Sequence, residues 1–128
     1  MGQSYKDLVV WNKAMELVMG IYRLTQEFPK EEIFGLVSQL RRSSVSIPSN
    51  IAEGQGRLSK GEFRNFLGNA RGSLSELETQ ILIAQKLDYL KESDAAVILD
   101  LAAEVGRILN GLIASTKKPK TERLTTSH

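Results

Sequence analysis

Six basic side chains carry the most chemistry in this sequence. Arg57, Arg64 and Arg71 recur every seven residues, and Arg41, Arg42 and Lys60 lie close to them in the chain. Seven residues make two helical turns, so Arg64 and Arg71 share one face about 10.5 Å apart, and Arg57 extends the line. Such a stripe can track a phosphate backbone, each contact adding salt-sensitive affinity. The same positions also flank an apolar seam, with Glu78 continuing the line. Flanking charges of both signs ordinarily make salt bridges between helices or subunits. The salt-bridge reading stands ahead of phosphate contact, a plain solvated face comes third, and all three remain open.

The acidic side chains offer less. Glu76 and Glu78 are two apart on a helix and point about 200° away from each other, so they cannot share a site, and Glu53 stands alone across the fold. A carboxylate di-metal centre in a helical bundle adds a Glu-x-x-His pair from each of two helices. The only histidine here is His128, the final residue, and there is no cysteine. Imidazole and thiolate catalysis are therefore out of reach, and neither an enzyme nor a metal or other cofactor is expected. Asn50 and Glu53 lie three apart and face together. They are expected to form a structural polar network, with Arg42 or Arg71 as partners across the fold.

The net charge of +2 is small, but it is polarised. Residues 38–72 carry a net +4 and residues 73–104 a net −5. The absence of cysteine suits a reducing cytoplasm, and no apolar run approaches the roughly 18 residues of a membrane span. No early segment has the charged, apolar and small-residue pattern of a signal peptide. A cytoplasmic protein with no membrane partner is the expectation.

Four blocks of apolar residues at steps of three and four must position these groups. The first runs Ala14, Leu17, Ile21, Leu24, Phe28, widened by Leu8, Trp11, Met15, Val18 and Tyr22. The second runs Ile33, Val37, Leu40, Ser44, Ile47, Ile51; the third Phe63, Leu67, Ala70, Leu74, Leu77, Ile81, Ala84. The fourth runs Ile98, Leu101, Val105, Ile108, Leu112. No segment shows a sustained period of two, which argues against strands. Phe28-Pro29 closes the first block, Gly54 and Gly56 suit a left-handed end to the second, Ser59 with Glu62 forms a capping box, and Ser93-Asp94 caps the fourth. Short connections between long helices require antiparallel neighbours. The spacing thus predicts an all-α, antiparallel up-down four-helix bundle over residues 7–116, after an extension at 1–6 and before a disordered tail at 117–128. Pro48 falls inside the second helix, where it removes a hydrogen bond, and a kink is expected there. The serines around it, Ser43, Ser44, Ser46 and Ser49, can bond to carbonyls one turn back or admit a close neighbour.

The run RRSSVSIPSNIAEGQG at 41–56, followed by SKGEFRNFLGNARGSLSELETQ at 59–80, resembles the four-helix bundle proteins called S23 or ribosomal-RNA intervening-sequence proteins. DLVVWNKAMELV and FPKEEIFGLVSQLRRS resemble the same family, so the likeness spans about residues 7–116. It implies a bundle that assembles into a ring, commonly of five copies. Some members of that family are reading frames inside intervening sequences of bacterial large-subunit ribosomal RNA genes, and distant relatives accompany reverse transcriptases, with a role in binding both RNA and the enzyme. The expected partners are therefore other copies of the chain, a structured RNA, and a reverse transcriptase or other protein. The wide apolar arc of the first helix independently favours a homo-oligomer. Against RNA stands the scarcity of aromatics, 6% of the chain and mostly at core positions. Two readings follow: an RNA-associated ring using Arg41, Arg42, Arg57, Lys60, Arg64 and Arg71, or a protein scaffold that touches no nucleic acid.

Overall fold

A computed structural model describes residues 4–117. Within them the chain is helical, with no strand. A 3-10 turn at Tyr5–Asp7 leads into α1 (Val9–Thr25); a second at Lys30–Glu32 leads into α2 (Leu36–Gln55); α3 (Lys60–Lys86) and α4 (Glu92–Ser115) follow. The assigned extension at 1–6 is partly built in: Tyr5 sets its ring edge-on to Trp11 at 5.2 Å, and Asn12 donates to the Lys6 carbonyl. Residues 1–3, and the tail beyond Lys117, lie outside the described residues.

The four helices enclose one buried core, with Leu17, Leu40, Ile47, Ile51, Leu67, Leu77, Ile81 and Leu109 among its largest members. Contacts between neighbours run in opposite numerical order. Ser43 meets Gln80 and Ser46 meets Ser73 between α2 and α3, while Arg71 meets Asn110 and Arg64 meets Thr116 between α3 and α4. The contact of α2 with α3 is the most extensive of any pair. Small residues at the seam allow it.

The helix ends depart from the expected capping in three places. Gly54 and Gly56 do not adopt a left-handed turn; Gly54 is buried inside α2 and Gly56 closes the helix in ordinary right-handed geometry. Gly54 is needed for space, because a Cβ there would lie 2.7 Å from Phe66 Cβ. The left-handed residue is instead Asp88 (φ 62°), where the Tyr89 amide returns to the Ala84 carbonyl to end α3. Ser93 and Asp94 fall inside the first turn of α4, whose cap is Lys91; Glu92 and Asp94 there complement the positive end of the helix dipole. Ile33 lies outside α2 and is exposed, because α2 starts only at Leu36. Ser59 does cap α3, accepting the Glu62 amide at 3.1 Å.

One corner ties three segments together. Glu32 accepts the Leu36 amide through one oxygen, capping α2, and the Tyr89 hydroxyl through the other. That hydrogen bond, followed by desolvation and the negative charges of Glu32 and Glu31, holds the Tyr89 phenol above its ordinary pKa.

Candidate nucleic-acid and assembly surfaces

The arginine stripe is largely committed inside the chain. Arg64 donates to the Thr116 carbonyl at 2.7 Å, placing a cation at the C-terminal end of α4, where the dipole favours it. Arg71 donates to Asn110 Oδ1 at 3.0 Å. Both therefore bridge α3 to α4, but the acceptors are neutral rather than the carboxylates that charge patterning suggests. Arg57 pairs with Glu53 at 3.2 Å and covers the Phe66 ring. Arg41 donates to Thr25 Oγ1 at 3.0 Å and stacks on Tyr22, tying α2 to the end of α1. Only Arg42 and Lys60 of the six are exposed and make no bond within the described residues.

Replacing Arg64 and Arg71 together with alanine should lower unfolding free energy by about 1–3 kcal/mol, since each loses one charge-assisted bond that is partly open to solvent. Urea denaturation measures it. An unchanged midpoint would show that the two bridges contribute nothing.

Asn50 and Glu53 do not reach Arg42 or Arg71. Asn50 donates to the Ser46 carbonyl at 2.8 Å and to its hydroxyl at 3.0 Å, and Glu53 holds Arg57. The expected single network is thus two local ones. Between α2 and α3 a polar seam forms instead: Ser43 donates to the buried Gln80 at 2.7 Å, Ser46 and Ser73 share a hydrogen at 2.8 Å, and Gln80 approaches Glu76. Ser43 and Ser44 also back-bond to the carbonyls of Leu40 and Arg41. Glu76 and Glu78 do not converge with Glu53, and no cluster of acidic residues among the described residues is arranged to hold a metal.

Apolar side chains remain outside the core around α1. Val9, Met15, Met19 (52% exposed) and Val97 (71%) stand out, and a hollow of about 700 Å³ opens between α1 and α4. Met15, Met19, Gly20, Val97, Ile98 and Leu101 line it, together with the polar Asn12, Glu16, Arg23 and Asp94. A second feature escaped sequence reading: Phe34, between the Lys30–Glu32 turn and α2, is 94% exposed. No helix among the described residues is long and apolar enough to cross a membrane.

Residues 6–111 match the model of the family described as 23S rRNA-intervening sequence protein. The chain belongs to that family. A solved structure of similar fold is a protein of unknown function from the S23 ribosomal protein family of Bacteroides thetaiotaomicron, determined at 1.70 Å. It is 25% identical, with a TM-score of 0.75 over 82% of this chain and 98% of that one. A search of curated proteins finds no match.

Proposed function

We propose that this protein is a non-catalytic assembly subunit: an antiparallel bundle, bent at Pro48, that joins copies of itself into a ring through the apolar surroundings of α1. The observation that carries this is the hollow between α1 and α4, with apolar Met19 and Val97 exposed in its lining. Exposed apolar groups concentrated at one groove mark a contact surface more often than chance scatter does. The opposite numerical order of helix contacts supports the antiparallel arrangement. The freed Ser44 carbonyl opposite Pro48, which has no amide hydrogen to offer it, supports the bend. The family resemblance supports five copies. With no cysteine and His128 as its one histidine, the sequence favours a binding role over a catalytic one.

A substitution pair tests this. Wild type should scatter light as a closed oligomer, about five times the 14.2 kDa of one chain. Met19→Glu with Val97→Glu should give a helical monomer, because both side chains are exposed and the core is untouched. Wild type running as a single chain at micromolar concentration, where a specific interface of ordinary size should hold, would end the proposal.

The second reading is association with RNA, now centred on Arg42 rather than on the seven-residue stripe. Arg42 is free of intramolecular bonds and shares a hollow with Phe34. Exposed aromatic and cationic groups side by side are what single-stranded RNA uses. A partner protein, such as a reverse transcriptase, is the alternative for the same surface.

A further inference from the structure

Arg42 forms the ridge between two adjoining hollows. One, of about 580 Å³, is lined by Tyr22, Ile33, Phe34, Val37, Arg41 and Val45 besides Arg42. The other, of about 300 Å³, is polar and is lined by Gln39, Arg42, Ser43, Ser46, Ser73 and Glu76. Ser46 belongs to both.

The polar hollow has unused bonding capacity of both kinds. The Arg42 guanidinium offers its full set of donors, since nothing in the described chain accepts from it. Ser46 and Ser73 own two hydroxyl hydrogens, of which one joins them to each other. Asn50 already donates to Ser46, so it absorbs neither hydrogen, and the second hydroxyl hydrogen has no protein acceptor. On the α3 side of the same hollow Glu76 receives only one long bond, 3.4 Å from Gln80. The occupant that suits these walls carries adjacent acceptors for Arg42 and adjacent donors for Glu76.

Among the four RNA bases only guanine does both at once. Its O6 and N7 accept a bidentate guanidinium, and its N1–H and N2 amino group donate to a carboxylate. Adenine sets a single donor group beside its acceptors, and the pyrimidines have no N7. Such edges are reachable in unpaired RNA, where bases splay out and stack on aromatic side chains. Phe34 supplies that platform across the ridge, with its ring almost wholly in solvent.

We infer that the Arg42 ridge binds single-stranded RNA at an unpaired guanine, read by Arg42 and Glu76 in the polar hollow while a neighbouring base stacks on Phe34. This rests on the RNA reading above and adds the site and the base. The test is fluorescence anisotropy of the full chain, at about 50 mM salt where phosphate contacts are strongest. The probes are labelled RNA hexamers of uridine carrying guanine, adenine or inosine at the third position. The guanine hexamer should bind about tenfold more tightly than the adenine one, the scale of one bidentate base contact. Inosine, which lacks the N2 amino group, should lose part of that preference. Glu76→Gln should erase the difference between guanine and inosine. Arg42→Ala should weaken every hexamer and remove the preference. Phe34→Ala should weaken all hexamers alike and leave the preference, because stacking tolerates any base. These side chains are exposed, and an unchanged melting curve confirms each variant is folded. Equal affinity for guanine and adenine, or a guanine preference that survives both Arg42→Ala and Glu76→Gln, overturns the inference and leaves the RNA reading in place. Failure of every hexamer to bind ends both.

Discussion

Gly54→Ala should cost about 1–3 kcal/mol of stability even though alanine is the better helix former by close to 1 kcal/mol. The added Cβ would sit 2.7 Å from Phe66 Cβ and 3.1 Å from the Phe63 ring. A Cβ cannot swing aside as the end of a long side chain can, so α2 and α3 would have to separate along their closest seam. Gly72 on α3 is the matched control. It is exposed, and a Cβ there meets nothing within 4 Å. Gly72→Ala should therefore stabilise by about 0.5–1 kcal/mol, the ordinary helix-propensity gain. Urea unfolding of the two variants should move the midpoint in opposite directions. Stabilisation by both would mean that α2 and α3 do not approach closely at Gly54.

The same glycine shows why part of the fold was legible and part was not. A glycine pair after an apolar block reads as a helix terminus, because the local pattern reports only backbone freedom. Whether a second helix crosses there depends on residues further along the chain, here Phe63 and Phe66. The third block could be read residue by residue, since its period is clean and α3 packs with one narrow face: Leu67, Ala70, Leu74, Leu77, Ile81 and Ala84 are all buried. Ile33 was misplaced because Glu32, a side chain before the helix, sets its start by accepting the Leu36 amide.

The functional surfaces were less legible for a related reason. Charge spacing identified Arg64 and Arg71 as neighbours on α3, but their acceptors are a carbonyl and an amide oxygen that no charge pattern marks. Arg41 and Arg42 are adjacent and looked equivalent. One residue is a rotation of about 100°, enough to stack Arg41 on Tyr22 and leave Arg42 facing outward. Phe34 stands beside the second apolar repeat without belonging to it, so its spacing marked it for no role. Its exposure follows from lying before α2 begins, where no helical face carries it inward.

Leu109→Ala should be among the most damaging single changes, at about 2–5 kcal/mol, while Ile108→Ala should cost only about 1 kcal/mol. The apolar repeat in the fourth block runs Ile98, Leu101, Val105, Ile108, Leu112, which would make Ile108 the core residue. The structure keeps Ile98 and Val105 inside but shifts the other three positions by one: Ala102, Leu109 and Ile113 are buried, while Leu101, Ile108 and Leu112 pack only partly against the core. Almost every position on this side of α4 is apolar, so periodicity alone cannot choose between the two faces. Tertiary packing does. Gly106 presents no side chain, and Leu74 Cδ2 comes within 3.2 Å of where its Cβ would be, drawing α3 and α4 together. Leu109, at 0% exposure, then loses its whole isobutyl group from a closed site, whereas Ile108 empties a position that solvent can partly refill. Thermal and urea unfolding of the two alanine variants should rank Leu109 well above Ile108. The reverse order would mean that α4 packs on the face its apolar repeat suggests.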